Sequence, residues 1–320
     1  MRVETVAGPI GPEQLGATLM HEHLGSVALP GLFSGGRDEA GEDLAERALG
    51  CLPELGVGAV VDLAGRRRAE NGGDLDLLRR LGERLSIHVV AGFAFYKDPW
   101  LASVGEDRLD RLTQVYVGQV GIGVFGEVGT SLDRITAREE LHLRAVARAH
   151  LATARAISTH CTLGTMALEQ AAILADEGAD LGRVVLGHLD LRPDVEHLER
   201  VLATGANLGF DTWGKEWFDY RVPGSEGGGD AAFVKWAYHR PDADRVAALA
   251  ELCARGHDDR VVLSCDLSGA EAYLNPETHG RHGYAYLHRV VLPRLREAGV
   301  GEGSLRRMLV ENPARILAAP

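Results

Sequence analysis

The chain has 320 residues, 45% of them hydrophobic and 25% charged, which is enough apolar content to bury a large core. A formal net charge of -12 excludes the basic surface that nucleic acids and anionic membranes require, and leaves a small-molecule substrate as the expected partner. No stretch is long and apolar enough to span a bilayer, and residues 1–14 lack the basic start and apolar run of a secretory signal, so the expected location is cytoplasmic.

Taken in chain order, short runs rich in Val, Ile and Leu fall at 17–20, 59–63, 87–92, 122–127, 156–160, 183–188, 206–210 and 260–265. Amphipathic segments with apolar residues three and four apart lie between them, at 43–55, 74–84, 138–152, 164–176, 194–203 and 242–255. Several of these open on an acidic or hydroxyl residue suited to an N-cap. A last helix is expected over 304–318, interrupted at Asn312-Pro313. This is the rhythm of βα units, and eight of them close a (β/α)8 TIM barrel, an α/β fold expected to occupy 1–320 as one domain. An open doubly wound sheet fits less well, because no GxGxxG follows the first strand and polar residues recur at strand ends throughout. The stretch from 211 to about 241, with the glycine-rich run 224–230, reads as an extended loop after strand seven, on the face where barrels keep their active sites.

Chemistry concentrates at the C-terminal ends of the strands. Strand one ends in Met20-His21-Glu22-His23, and alternation along a strand turns His21 and His23 the same way, so that both imidazoles can grip one metal. An HxH alone also describes two packing histidines. Four further strand ends carry Glu127, His160, His188 and Asp266, each placed to converge at the barrel mouth. Four imidazoles and two carboxylates are a borderline-hard set suited to Zn²⁺, and also to Mn²⁺, Co²⁺ or Fe²⁺. Six such groups fit two divalent ions better than one, with Glu127 placed to bridge them.

Those residues, with the strings GEVGTS, THCTLGT, GHLD and SCDLS, resemble the phosphotriesterase family of the amidohydrolase superfamily over nearly the whole chain. Its best-known members bridge the two metals with a carboxylated lysine on strand four. The lysines here are Lys97, Lys215 and Lys235, none of them on that strand, so the chain is similar instead to the phosphotriesterase homology branch, where a glutamate bridges. The resemblance implies His21, His23 and Asp266 on an inner ion, His160 and His188 on an outer ion, and Glu127 on both. It also implies a homodimer. The expected reaction is attack of a hydroxide shared by the two ions on a lactone or other carboxylic ester, with weak phosphotriesterase activity, and with Asp266 taking the proton and passing it to the leaving group. An amidase acting on a small N-acyl compound and a metal-stabilised barrel that binds a ligand without turnover are the alternatives.

On the substrate side, the strand-three exit offers Tyr96 and Lys97, against the alternative of a helix-capping loop with a surface lysine, and the strand-seven exit offers Trp213 and Lys215, with packing of the inserted loop an equal alternative for Trp213. Were Lys97, Lys215 and Arg192 to face the pocket, an anionic substrate is expected. His279, Arg281 and His282 read as solvated loop positions. Cys51, Cys161, Cys253 and Cys265 form no CxxC pair, and Cys161 and Cys265, each next to a candidate ligand, should turn away from the mouth into the helix layer.

Overall fold

A computed structural model describes residues 1–24, 48–63, 74–215, 240–267 and 279–320. The glycine-rich run 224–230, residues 216–239 of the strand-seven loop, the start of the predicted helix 43–55, and the side chain of His279 lie outside the described residues.

A small antiparallel hairpin that the sequence reading did not anticipate, β1 (Val3–Thr5) and β2 (Gly8–Ile10), comes first. Eight strands follow at the eight predicted places: β3 (Ala17–Glu22), β4 (Val57–Asp62), β5 (His88–Ala91), β6 (Val124–Thr130), β7 (Ala156–Cys161), β8 (Val184–Gly187), β9 (Asn207–Phe210) and β10 (Val261–Leu263). All pair in parallel, β3 to β5 in one run and β6 to β10 in another. The two runs join at both seams. At one, Gly92 bridges Val124 and the Phe93 N–H donates to the Val124 carbonyl at 3.1 Å. At the other, the Asp266 N–H donates to the His21 carbonyl at 3.0 Å and the His23 N–H to that of Leu267 at 3.1 Å. These bonds close the ring of strands into the TIM barrel.

Alternation sorts the strand residues into two buried apolar clusters. Met20, Ala59, Val61, Val90, Val124, Val185 and Val262 belong to one, and Leu19, Val60, Val89, Phe125, Val184 and Val261 to the other, as expected when successive side chains face the barrel interior and the surrounding helices. Cys161 and Cys265 belong to the helix-side cluster. Cys161 Sγ lies 3.4 Å from Gln170 Oε1, and burial pushes its thiol up to about 12, so it is an unreactive packing group at neutral pH.

Among the described residues, the helices of eight or more residues between the strands are α1 (Asp74–Leu85), α2 (Leu109–Val117), α3 (Ala137–Thr153), α4 (Ala167–Asp176), α5 (Val195–Leu202) and α6 (Asp242–Ala254). α2 was not anticipated, although Leu109, Leu112 and Tyr116 fit a helical period. α4 begins three residues later than the predicted 164 because Leu163, Gly164 and Met166 all have positive φ, which no α-helix accommodates. Near the C-terminus the chain is helical through Asn312-Pro313 rather than interrupted there. Glu302–Arg306 passes into a π turn, Arg307–Glu311, and then into Asn312–Leu317. Pro313 has no N–H to give and its ring crowds the carbonyl four residues back, and the wider turn relieves both conflicts. Leu287–Val291 does the same ahead of Pro293. Among the described residues no helix is long and apolar enough to cross a membrane.

Candidate metal centre

The six predicted ligands do converge. Their donor atoms fall into two groups, His21–His23–Asp266 and Glu127–His160–His188, each with all atoms within 4.8 Å of one another. In the first, His23 Nε2 lies 2.7 Å and His21 Nε2 3.5 Å from Asp266 Oδ1. In the second, Glu127 Oε2 lies 2.9 Å from His160 Nδ1 and 3.3 Å from His188 Nε2. Glu127 also reaches the first group, with Oε2 3.5 Å from His21 Nε2 and Oε1 4.0 Å from His23 Nε2. It is thus the carboxylate common to both.

How each side chain gets there differs from strand to strand. On β7 strict alternation suffices: Ile157 and Cys161 face the helices and His160 faces the mouth. On β3 and β6 it does not. Met20 already faces the interior, so unbroken alternation would carry His21 outward, and the register of β3 against β4 shifts between Leu19 and Glu22. The register of β6 against β7 shifts between Phe125 and Val128, around Glu127. Each irregularity re-aims one ligand into the mouth, the service a β-bulge performs. His188 and Asp266 stand just beyond their strands in left-handed backbone, φ 62° and 48°. Non-glycine residues occupy that region at a cost of about 1–3 kcal/mol, which the surrounding bonds must supply.

Those bonds are visible. Glu22 is fully buried, and its carboxylate accepts from Ser264 Oγ at 2.8 Å, Cys265 N at 2.9 Å and Leu267 N at 2.7 Å, clamping the turn that bears Asp266. Burial raises the Glu22 carboxyl to about 7 against those donors. Asp211, at the exit of β9, takes one histidine of each group: Oδ2 lies 3.0 Å from His21 Nδ1 and Oδ1 2.9 Å from His188 Nδ1. Asp190 receives the Asp211 N–H at 3.3 Å and the Thr212 N–H at 3.1 Å, and Arg245, wholly buried on α6, lies between Asp190 and Asp242 and donates to the Thr212 carbonyl at 2.9 Å. A buried arginine paired on two sides and bonded to backbone is the geometry that offsets the cost of burying charge. Together with Asp242 on the Gly214 N–H, these bonds anchor the backbone of 211–215. Sequence reasoning missed Asp211, Glu22 and this network. The signal for Asp211 was the one that singled out the candidate ligands, a polar residue at a strand's C-terminal end.

The electrostatics follow from burial. Burial lowers the imidazoles and raises the acids, and specific partners then decide. Burial and the neighbouring Lys97 ammonium hold His160 well below the usual imidazole range. For His188 the pull of Asp211 overcomes burial and lifts it to about 9, and His21 is raised in the same way. Burial opposes ionisation of Asp266, yet Lys215 and His23 hold it well below the usual carboxylate range. His160 and its fellow ligands likewise keep Glu127 ionised against burial.

The site fits divalent cations on its own terms. Four imidazoles and two ionised carboxylates are the donor set of Zn²⁺, Mn²⁺, Co²⁺ or Fe²⁺. His21 Nε2, moreover, is buried with no hydrogen-bond partner, a costly state that a bound cation removes.

Tyr96 and Lys97 stand beside the Glu127 group. Tyr96 Oη is 3.0 Å and Lys97 Nζ 3.2 Å from His160 Nε2, and Lys97 also donates to Thr162 Oγ1. Lys97 is only 5% exposed, so it is not a surface lysine. The capping box of α3 anchors this loop, with Glu139 Oε1 accepting from the Asp98 N–H at 3.2 Å and Thr136 Oγ1 donating to Asp98 Oδ2 at 2.8 Å. Lys215 stands across the site, its ammonium on Asp266 Oδ2. Trp213 is not at the open mouth: it is 0% exposed, packed in the core beside Phe210, and as placed offers a substrate no surface. Arg192 and Arg281 are exposed, and His282, half-buried, lies on the helix His279–His282 with its ring 6.0 Å from that of Tyr286. Lys235 lies outside the described residues.

Comparison with known proteins shows the family. The model of the phosphotriesterase family matches residues 1–317. The phosphotriesterase homology protein of Escherichia coli is 33% identical, over 94% of this chain and 97% of its own length. Its crystal structure complexed with phosphate in the active site superposes with a TM-score of 0.77 at 30% identity, covering 95% of this chain and 99% of that one. A lactonase from Listeria monocytogenes superposes with a TM-score of 0.76 at 26% identity, covering 99% of each chain. The N-acetyltaurine hydrolase of Xenopus tropicalis is 26% identical, over 99% of this chain and 97% of its own. The chain therefore belongs to the phosphotriesterase family, on the side of its homology proteins, and is a metal-dependent hydrolase.

Proposed function

We propose that the protein hydrolyses a small carboxylic ester, with a lactone as the principal substrate class, at a two-cation centre held by His21, His23 and Asp266, by His160 and His188, and by Glu127 in common. The observation that carries this reading is Asp266: a carboxylate kept ionised by Lys215 and His23 at the edge of the two ligand groups, where a proton acceptor is needed. Two divalent ions, Zn²⁺ in the first place, supply when bound the acidified water and the polarised carbonyl that ester hydrolysis needs. Asp266 takes the proton of the attacking water and returns it to the departing alkoxide. Tyr96 and Lys97 orient the acyl group from the His160 side, and Lys215 keeps Asp266 aligned and charged.

Two observations favour a second reading, hydrolysis of a small anionic N-acyl amine. Two buried ammonium groups flank the site, and relatives named N-acetyltaurine hydrolase match nearly the full chain at 26–28% identity. A panel of lactones, aryl esters, N-acyl amines and phosphotriesters, assayed on Zn²⁺-, Mn²⁺- and Co²⁺-loaded protein, tests both. Highest kcat/KM on lactones supports the first reading, and highest kcat/KM on N-acyl amines replaces it with the second. Lys97→Met should raise KM about 10-fold or more for substrates bearing a carboxylate, phosphate or sulfonate, the loss expected when a charged hydrogen bond of about 1.5–3 kcal/mol is removed. Neutral analogues should be little affected. Equal losses on charged and neutral members of each pair would remove Lys97 from substrate recognition.

A further inference from the structure

We propose that Asp211 is a positioning residue that couples the two cation subsites, fixing with its two carboxylate oxygens the ring of one histidine from each. The inference rests on reading the two groups as cation sites. Asp211 is 1% exposed, and its oxygens are divided: Oδ2 takes His21 Nδ1 at 3.0 Å and Oδ1 takes His188 Nδ1 at 2.9 Å and the His188 N–H at 2.8 Å. With Nδ1 of both rings engaged, Nε2 of both faces the candidate ligands, His21 Nε2 towards Glu127 and Asp266, His188 Nε2 towards Glu127 and His160. A ring turned the other way would present its ligand atom to Asp211 instead.

The barrel makes room for this one carboxylate. A Cβ on Gly209 would lie 2.6 Å from Asp211 Oδ2 and 3.0 Å from the Cα of Gly187, and a Cβ on Gly187 would lie 3.3 Å from the same oxygen and 2.4 Å from the Thr159 carbonyl. A side chain at Gly209 would thus displace the Asp211 carboxylate, and one at Gly187 would crowd it while clashing with the Thr159 carbonyl. Its backbone is fixed as well, through the Asp190–Arg245 pair. Because one anion holds both rings, any displacement of it disturbs a histidine of each subsite. Groups behind metal ligands typically change affinity by about 10–100-fold. Here that change should fall on both ions at once.

The test uses Asp211→Ala, which removes both oxygens, and Gly209→Ala, which displaces the carboxylate without altering it. Calorimetric titration of the metal-stripped full chain with Zn²⁺ should show both binding steps weakened by about 10–100-fold in each variant. Loss confined to one step, or none, overturns the coupling. Because a variant can lose affinity merely by folding poorly, a second readout is taken on the metal-free protein, where histidine ¹⁵N–¹H spectra should show exchange-protected Nδ1–H protons for His21 and His188. Both should vanish together in Asp211→Ala at unchanged far-UV circular dichroism. Their absence from the wild type would overturn the positioning role. A wild type that shows both protons yet takes up no Zn²⁺ would overturn the coupling through the cation reading itself, and the spectra distinguish that failure from the first.

Discussion

Asp266→Asn should lower kcat/KM by about 10³-fold, in the middle of the range a positioned acid–base group contributes. Asparagine keeps one oxygen, for His23 or for Lys215, and cannot take a proton, so the loss should appear in kcat, with KM changed much less. The substitution also leaves Lys215, only 6% exposed, without its counter-charge, so some loss of stability is expected alongside. Circular dichroism and metal content measured on the same preparation separate the two effects: folded, metal-loaded and slow is the expected result. A folded variant that turns over at the wild-type rate would show that another group moves the proton.

The second large effect is expected at Glu127. Its carboxylate is the anion common to both ligand groups, within 4.0 Å of all four histidines. Glu127→Ala should therefore reduce bound metal from two ions per chain to one or fewer and lower kcat/KM on the order of 10³-fold or more, since the several kcal/mol of charge stabilisation that a metal pair supplies depends on holding the pair. Added Zn²⁺ should restore little of it. Retention of two tightly bound ions by the variant would show that Glu127 is dispensable and that the groups assigned here hold their cations independently.

Most of the barrel was legible in the chain because burial on both faces forces apolar runs and because period two and period 3.6 alternate along it. The list of converging residues was legible too, since polar side chains at strand C-terminal ends stand out against that pattern. The aiming was not. His160 obeys strict alternation, but His21 and Glu127 reach the mouth through one-residue register shifts, and His188 and Asp266 through left-handed turns, none of which leaves a mark in composition or period. Asp211 passed as the start of a loop because its partners are 190 and 23 residues away in the chain. Helix α2 was short, and the widened turns before Pro293 and Pro313 trade one helical bond pattern for another where sequence rules mark only a break. Trp213 was open to two readings in the sequence, packing or substrate contact, and it lies buried in the core beside Phe210.

The most direct test is the metal content of the purified wild-type chain by elemental analysis, set beside its hydrolytic rate before and after chelation. Two divalent ions per chain, activity abolished by stripping and regained on adding Zn²⁺, Mn²⁺ or Co²⁺, are the predicted results. Undiminished hydrolysis by protein shown to be metal-free, or a folded chain that takes up no ions from millimolar Zn²⁺, would contradict it.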